Sequence, residues 1–478
     1  MMSARRQCVG LYHNTQGIYK TQLSISRSLA MLRRCLHSTP VKHDSAMPEW
    51  LAKILNDKAD APKLYRWTAK DHAQSEGVIS AMSASSNRSD DARERVYIVG
   101  IGNLGRLFAA ALARVPNPPL ITLVVHRAGL LESWNEKPGL RLHSQSYVKD
   151  GRTDSDAITD LDVEMWAPSP EGRGHEIGPI SNLIVATKAQ DALPAVDRLR
   201  RYLSPDSAIV FTQNGMNKLW PPYGAIYSAA RYTKSPNWVA CVVTHGVFSL
   251  GPFESVHASP ADVVLGSVNN NTANHERPYL VQKLLEASVL NSRWVPRADL
   301  WVMQVEKLVV NAVINPLTAI LRCKNGLLFG YGEDGSCDNL DDSQGAVLRQ
   351  IIDQLLEEAS TVLTALAIVE MKDGGVLSHG VMEKSALVER LSLERLRAMV
   401  YRVGGVVRLN TSSMLQDVNA SKGTEVREFN GWVVDMARYL ESMPGAASSR
   451  FDVTTHKAMV SLVEGGHHLS KDKLGEYV

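Results

Sequence analysis

The chain of 478 residues has few cysteines, no long apolar run and, in its first 43 residues, no acidic side chain. Its five cysteines include no CxxC pair, which argues against a disulfide framework and against a cysteine zinc site. No uninterrupted apolar run approaches the roughly 18 residues that a membrane-spanning helix needs. These absences predict a soluble protein of a reducing compartment. The length and a hydrophobic content of 44% allow two or more domains.

Residues 1–43 combine the lack of acids with basic, serine and leucine residues. The basic residues are Arg5, Arg6, Lys20, Arg27, Arg33, Arg34 and Lys42. This composition is typical of a mitochondrial presequence, so we expect location in the matrix. A disordered basic tail is the alternative interpretation. Without this segment the acids outnumber the bases, which argues against nucleic-acid binding by the folded part.

The rest of the chain divides into three segments by composition. Residues 44–94 are polar and weakly periodic and are predicted to form an extension and linker, with a short helix in "PEWLAKILND". Residues 95–295 alternate strand and helix patterns, as expected for an α/β domain of Rossmann type with a mostly parallel sheet. Residues 296–470 lose the strand pattern and predict an all-α domain. We expect the ligand in the cleft between the two domains.

Several elements are predicted within these domains. "VACVVTHGVFSLGP" and "SVHASPADVVLG" are each interpreted as one strand. The stretch 132–180 is interpreted as strand pieces with a long surface insertion. The helical patterns cover residues 300–323, 343–371, 383–402, 414–442 and 453–464.

The string "GIGNLG" follows the strand pattern "VYIV" and precedes an Ala- and Leu-rich helix. In this context GxGxxG predicts a dinucleotide-binding turn, because its glycines allow backbone N–H groups to approach a pyrophosphate. The predicted cofactor residues of the turn are Gly100, Ile101, Gly102, Asn103, Leu104 and Gly105. A glycine-rich turn in an unrelated α/β protein is the alternative.

The residue at the end of the next strand distinguishes NAD-dependent from NADP-dependent enzymes. An NAD enzyme usually carries an acid there, which binds the ribose 2′-hydroxyl. This chain has His126 and Arg127, and no acid before Glu132. A cation suits a 2′-phosphate, so we predict NADPH, with a solvated surface charge as the alternative role of Arg127.

An apolar helix pattern at 304–319 carries Lys307, Asn311 and Asn315, each four residues after the last. Such residues lie within about 40° of one another on a helix and form one polar stripe. Burial without partners would be costly, so the stripe is predicted to bind a small anionic substrate. In the alternative interpretation, these polar side chains form hydrogen bonds with another helix.

A second group of polar residues lies in "TSSMLQDVNASKGTE". Ser413 and Gln416 fit a helix capping box. The paired hydroxyls of Ser412 and Ser413 would equally suit a substrate carboxylate. Glu425 is a candidate to orient a substrate hydroxyl or the lysine, although helix glutamates are usually exposed and without function.

The order of "GIGNLG", "VATKAQDA", "TQNGM", "THGV", "KLVVNAVINPLTAILRCKNGLL" and "SSMLQDVNASKGTEV" resembles the ketopantoate reductase (2-dehydropantoate 2-reductase) family, in a divergent fungal form. The resemblance runs from about residue 95 to 465, with insertions near 150–178 and 331–345. It implies NADPH-dependent reduction of 2-dehydropantoate to pantoate, a step of pantothenate and coenzyme A biosynthesis. Lys307 would then be the general acid and Glu425 would act with it. Asn311, Asn315, Asn325 and Ser413 would hold the substrate, and Lys188 and Asn214 would line the cofactor site.

The sequence leaves other functions open. One is a reductase of a related 2-ketoacid. Another is a non-enzymatic mitochondrial expression or assembly factor built on the same fold. Dehydrogenases of the hydroxyisobutyrate or phosphogluconate kind share the two-domain plan, but the "SSMLQD" string and the Lys-to-Glu pairing argue against them. The expected partners are a small 2-ketoacid and a second copy of the chain, without nucleic acid.

Overall fold

The computed structural model describes residues 47–75, 93–145, 156–168, 175–269, 277–336, 343–372, 374–378, 383–444 and 450–477. The predicted presequence lies outside these residues, as do parts of both predicted insertions. Pro48–Val478 forms one compact unit. An α/β part and a helical part can be distinguished within it by their elements.

Thirteen strands lie within the described residues. They are β1 (Tyr65–Thr68), β2 (Val96–Val99), β3 (Ile121–Val125), β4 (Arg141–Ser144), β5 (Asp162–Ala167), β6 (His175–Glu176), β7 (Ile180–Val185), β8 (Leu203–Phe211), β9 (Asn237–Val243), β10 (Gly246–Gly251), β11 (Glu254–Ser259), β12 (Val263–Ser267) and β13 (Ser292–Trp294). Ten of them form one sheet in the order β13-β12-β9-β8-β7-β2-β3-β5-β1-β6, and β10, β11 and β4 form a second sheet.

The middle of the large sheet is parallel. Strands β9, β8, β7, β2, β3 and β5 pair in parallel, whereas β12 and β1 run antiparallel to their neighbours β9 and β5. After β2 the chain continues to β3 on one side of β2 and returns through β7 on the other side. Open parallel sheets bind ligands at such a switch point, beyond the carboxyl ends of the strands.

Helices cover both faces of this sheet and form the helical part. In the α/β part they are α1 (Glu49–Asn56), α2 (Ala69–Ser75), α3 (Asn103–Leu112), α4 (Ala128–Glu136), α5 (Ala189–Leu199), α6 (Tyr223–Arg231) and α7 (Tyr279–Glu286). The helical part contains α8 (Arg297–Leu321), α9 (Ser343–Glu370), α10 (Lys384–Arg390), α11 (Leu393–Val406), α12 (Ser413–Asn419), α13 (Trp432–Glu441), α14 (Thr454–Glu464) and α15 (Lys471–Leu474). A π-helical segment, Arg427–Gly431, precedes α13.

Two apolar cores hold these layers together. One lies between α3 and the sheet, and Leu107, Phe108 and Leu112 are fully buried in it. The other joins α5 and the opposite face of the sheet to α8 and the remaining helices of the helical part. Because α8 is buried along most of its length, it is the element that connects the helical part to the sheet.

The described part of residues 44–94 is not a simple linker. The predicted helix is present as α1, and Leu51 and Ile54 are buried. Strand β1 then joins the large sheet between β5 and β6. The backbone N–H of Leu64 donates to the Tyr202 hydroxyl, with 2.7 Å between nitrogen and oxygen. The sequence did not reveal this strand, because it has only four residues and none of them is fully buried.

Other boundaries also differ from the predictions. Each of the two predicted strands in 239–266 is two strands, because the chain leaves the large sheet after β9, forms the β10–β11 hairpin and returns as β12. The predicted helix 383–402 is divided into α10 and α11, with Ser392 capping the second. The predicted helix 414–442 is interrupted at 420–425. Part of the predicted insertion near 150–178 forms β5 and β6.

Within the described ranges, no helix has both the length and the apolar character that crossing a membrane would require.

Candidate active site

The GxGxxG turn connects β2 to α3, and its three glycines have different roles. Gly100 has a φ of +95°, and a Cβ there would lie 2.6 Å from the backbone of Ala186 and Thr187. A Cβ at Gly105 would lie 2.1 Å from the carbonyl oxygen of Gly100. A Cβ at Gly102, by contrast, would meet nothing within 4 Å. The turn therefore holds open a space at the amino terminus of α3, as a pyrophosphate requires.

This space belongs to a cleft of about 1180 Å³ beyond the carboxyl ends of the parallel strands. Its walls include the whole predicted glycine turn apart from Gly105, together with Lys188, Asn214, Ser413 and Glu425. A cleft of this size exceeds what one small ligand needs, since pockets for such ligands measure roughly 300–1,000 Å³. It fits a dinucleotide with a small substrate beside it.

Arg127 lies where β3 ends, as the sequence predicts. Arg127 and His126 both line the cleft, and both side chains are exposed. Arg127 also occupies the position before α4, whose first turn carries no acid. A phosphate at this end of the cleft would meet a cation and no carboxylate from this turn.

Lys307 lies on α8 and is half-buried. Its Nζ donates to Asn214 Oδ1, 2.7 Å away, and to the backbone carbonyl of Val243 at the end of β9. Asn214 and Val243 line the cleft, so the ammonium lies just behind its wall. Burial lowers the pKa of Lys307 to about 8, although the nearby Glu425 carboxylate acts in the opposite direction. An ammonium with this pKa can release a proton near neutral pH.

The other residues of the stripe follow Lys307 along α8. Asn315 is buried, and its Nδ2 lies 3.5 Å from Ser413 Oγ, a long contact. Asn311 is half-buried, and its side-chain amide has no hydrogen-bond partner among the described residues. The structure therefore brings Asn315 and Ser413 together, whereas Asn311, one turn after Lys307, has an unpaired amide but does not itself line the cleft.

The predicted capping box was wrong by one residue. Ser412, not Ser413, precedes α12 and accepts a hydrogen bond from the backbone N–H of Leu415. Its hydroxyl also lies 2.7 Å from the hydroxyl of Thr318 on α8. Because Ser412 has this structural role, the exposed Ser413 hydroxyl is left to face the cleft.

Asn325 does not line the cleft, and neither do Lys307, Asn311 and Asn315, so its role in holding the substrate stays a prediction. Asn325 is buried, and its Nδ2 donates to the carbonyl oxygen of Val407, 3.3 Å away. The "KNG" string that carries it forms a short 3-10 turn against the end of α11. In this structure Asn325 therefore supports the fold of the helical part.

Glu425 and Lys188 both line the cleft, and each is held by a partner. Glu425 is buried and its Oε1 accepts the backbone N–H of Ala189, at 2.9 Å, where α5 begins. Burial raises the pKa of Glu425, while Lys188 and the Ala189 N–H oppose that shift. Lys188 forms an ion pair of 2.5 Å with Asp417 on α12. The two contacts join the α/β part to the helical part at the cleft.

Sequence reasoning missed two cleft residues, Arg106 and His245. The Arg106 guanidinium is buried and donates to the carbonyl oxygens of Gly251 and Glu254, at 2.5 and 2.6 Å. It thereby ties the β10–β11 hairpin to the glycine turn. Its position in the first turns of a helix, where cations are unfavourable, was the available signal. His245 lies in "THGV", and its Nδ1 is 2.9 Å from His257 Nε2.

The site contains no candidate metal centre. No group of three or more His, Cys, Asp or Glu side chains arranged for a metal occurs in the described part of the chain. The polar groups of the cleft include cations, amides and hydroxyls that suit an anionic organic ligand, together with the carboxylates of Asp191, Asp417 and Glu425.

Comparison with known proteins identifies relatives along most of the chain. The family described as Ketopantoate reductase PanE/ApbA matches residues 96–270, and its C-terminal part matches residues 299–443. A ketoisovalerate reductase of Gibberella fujikuroi is 36% identical over 457 residues, covering 90% of this chain and 98% of that protein. The 2-dehydropantoate 2-reductase of Saccharomyces cerevisiae is 26% identical, covering 74% of this chain and 90% of that protein.

A solved structure shares the fold. D-mandelate dehydrogenase, determined with NADH and anilino(oxo)acetate, superposes with a TM-score of 0.53 at 16% identity, covering 80% of this chain and 99% of that one. At this identity the similarity concerns the fold alone.

Substitution of single glycines should separate folding from ligand binding in the turn. Gly105→Ala should lower the free energy of unfolding by about 1–3 kcal/mol, because its Cβ would clash with the Gly100 carbonyl. Gly102→Ala should leave that free energy nearly unchanged and weaken dinucleotide binding by roughly tenfold, since its Cβ would occupy the open space. Denaturant unfolding and a fluorescence titration with NADPH measure both quantities. Equal NADPH affinity in Gly102→Ala and the unmodified chain would contradict this role of the turn.

Proposed function

The chain belongs to the ketopantoate reductase family, and on that premise we propose that it reduces a branched 2-ketoacid to the 2-hydroxyacid with NADPH. The observation that carries the proposal is the Lys307 ammonium, held by Asn214 at the wall of the cleft and close enough to Glu425 to be affected by its charge. The hydroxyl of Ser413 lines the same cleft and lies 3.5 Å from the Asn315 amide on α8.

The proposed reaction uses these groups in one step. The dinucleotide supplies a hydride to the ketone carbon. Lys307 stabilises the negative charge that develops on the ketone oxygen and then donates its proton to that oxygen, which leaves a neutral amine. Asn214 and the Val243 carbonyl orient the ammonium before the step. Solvent in the cleft returns the proton to the amine.

Two ketoacids are candidate substrates, and a different observation favours each. The unpaired amide of Asn311 favours 2-dehydropantoate, since its terminal hydroxyl needs a polar partner. The ketoisovalerate reductases of Gibberella fujikuroi and Beauveria bassiana, at 36% and 35% identity, favour 2-ketoisovalerate, which lacks that hydroxyl. The proposed chemistry at Lys307 is the same for both.

Replacing Lys307 should abolish most of the activity. With the chain lacking residues 1–43, we expect NADPH oxidation at 340 nm with one of the two ketoacids, and a fall in kcat of about 10²-fold or more in Lys307→Ala. In the unmodified chain, kcat/KM should decrease as the pH rises through about 8, because the proton donor is then lost. Lys457→Ala removes an exposed lysine of α14 and serves as the control.

The ratio of kcat/KM for the two ketoacids assigns the substrate. NADPH binding without turnover of either ketoacid would overturn both substrates and direct the search to other 2-ketoacids, whereas a lack of NADPH binding would favour the non-enzymatic factor.

Arg127 should determine the preference for NADPH. We propose that its guanidinium binds the 2′-phosphate, so Arg127→Ala should weaken NADPH binding by roughly tenfold and leave NADH binding unchanged. Arg402→Ala, on the exposed face of α11, is the matched loss of one arginine. Fluorescence titrations with both cofactors provide the comparison. An unchanged NADPH-to-NADH affinity ratio in Arg127→Ala would remove this role.

We also propose that the protein is imported into the mitochondrial matrix. The acid-free, Arg-rich segment 1–43 supports this proposal. A fluorescent fusion of the full chain should colocalise with a matrix marker, and a fusion lacking residues 1–43 should not. Matrix location of the shortened fusion would show that the segment is not the signal.

A further inference from the structure

Helix α8 contains a backbone carbonyl that its own helix cannot satisfy. In an α-helix, the N–H of residue i donates to the carbonyl of residue i−4. Residue 316 is a proline and has no N–H, so the carbonyl of Ala312 loses its donor although α8 continues to Leu321. Ala312 lies directly after Asn311 and three residues before Asn315. Along the helix axis, the orphaned carbonyl therefore lies between Asn311 and Asn315, although Ala312 is about 100° around the helix from Asn311.

The side chain of Asn430 replaces the missing donor. Its Nδ2 donates to the carbonyl oxygen of Ala312, at 2.9 Å, and Asn430 is fully buried. Because a carbonyl oxygen only accepts, this contact fixes which end of the amide faces α8. A buried carbonyl without such a donor would be costly, so the contact stabilises the proline-containing turn of α8.

A buried histidine uses the second N–H of the same amide. His456 Nε2 lies 3.1 Å from the carbonyl oxygen of Leu355 and must carry the proton of the ring. Its Nδ1 is then an acceptor, and it lies 3.0 Å from Asn430 Nδ2. His456 is completely buried, and burial lowers its pKa to about 4, which keeps the ring neutral.

The histidine is itself fixed by α9. The Glu358 carboxylate accepts the backbone N–H groups of Thr455 and His456, at 2.7 and 3.0 Å, where α14 begins. His456 on α14 contacts Asn430, and α9 in turn fixes His456. Asn430 therefore has a defined position from which it can hold α8.

Asn430 belongs to the π-helical segment, Arg427–Gly431, which begins two residues after Glu425. The segment also touches the turn that carries Asn214, because a Cβ at Gly215 would lie 3.0 Å from the carbonyl oxygen of Glu428. It therefore lies next to Glu425, to α8 and to the amide that binds Lys307. Single π-helical turns often occur at functional sites, where they shift the register of a helix.

We propose that Asn430 is a positioning residue of the active site, which sets α8 relative to Glu425 by supplying the N–H that Pro316 cannot. His456 is the residue that holds Asn430 in place. This inference rests on the proposed reductase function, because it concerns the placement of Lys307 and Glu425. Neither Asn430 nor His456 lines the cleft, so both act through the residues that do.

Replacing the amide by an apolar group of similar shape tests the proposal. Asn430→Leu should lower kcat by roughly ten- to hundred-fold, because small displacements of catalytic groups have effects of this size. NADPH affinity should stay within about twofold, since the cofactor site lies on the α/β part. The matched control is Asn182→Leu, which removes another buried amide, on β7 toward its amino end. That amide also donates to two backbone carbonyls, those of Arg93 and Arg95. This control should lose stability without losing kcat.

A second substitution identifies the missing N–H as the cause. Pro316→Ala restores a backbone donor for the Ala312 carbonyl, so Asn430→Leu should lower kcat less in the Pro316→Ala background than in the unmodified chain. Equal losses of kcat in both backgrounds would overturn the proposal. The proposal would also be overturned if Asn430→Leu and Asn182→Leu had the same kcat while lowering the unfolding temperature by the same amount.

A readout without turnover separates this inference from the proposed function. The rate at which acetic anhydride modifies Lys307, followed by mass spectrometry, reports the surroundings of the ammonium. We expect at least a threefold change in Asn430→Leu and none in Asn182→Leu. If the unmodified chain reduces neither ketoacid, the proposed function fails, and this rate still decides whether Asn430 positions Lys307. An unchanged rate in Asn430→Leu would refute the positioning role.

Discussion

The placement of one ammonium group determines how the two parts of the molecule meet. A lysine in a half-buried position needs acceptors, because its charge has lost much of its water. Lys307 finds them in Asn214 and in the carbonyl of Val243, both at the carboxyl edge of the sheet. Helix α8 must therefore dock where the parallel strands end, which is also where the glycine turn opens. The cofactor space and the proton donor are neighbours for this reason.

The contacts of Glu425 follow from the same docking. Its carboxylate accepts the first N–H of α5, a helix amino terminus that favours negative charge. Burial raises its pKa, and the positive charge of Lys188 reduces that rise. The pKa of such a carboxylate is sensitive to the charge of a ligand that enters the cleft. The ion pair of Lys188, the residue before Ala189, with Asp417 holds the same two parts together.

The role of a residue could be predicted from the sequence where the contact that determines it is made by residues nearby in the chain. The roles of Gly100 and Gly105 follow from one turn and were predictable, and the four-residue spacing placed Lys307 and Asn315 correctly on one side of α8. The choice between Ser412 and Ser413 as the cap depends on Thr318, about a hundred residues away, and no local pattern contains it. The burial of Asn325 and of Arg106 likewise depends on distant carbonyl groups.

The segments outside the family match lie away from the site. The family matches residues 96–270 and 299–443, whereas α1 and β1 precede both ranges. Strand β1 lies between β5 and β6, at the end of the sheet remote from α8. The GxGxxG turn, Asn214, Lys307 and Glu425 all lie inside the matched ranges, at the opposite, inner strands or on the helices that dock there. Additions at that end of the sheet leave the spacing of these groups unchanged.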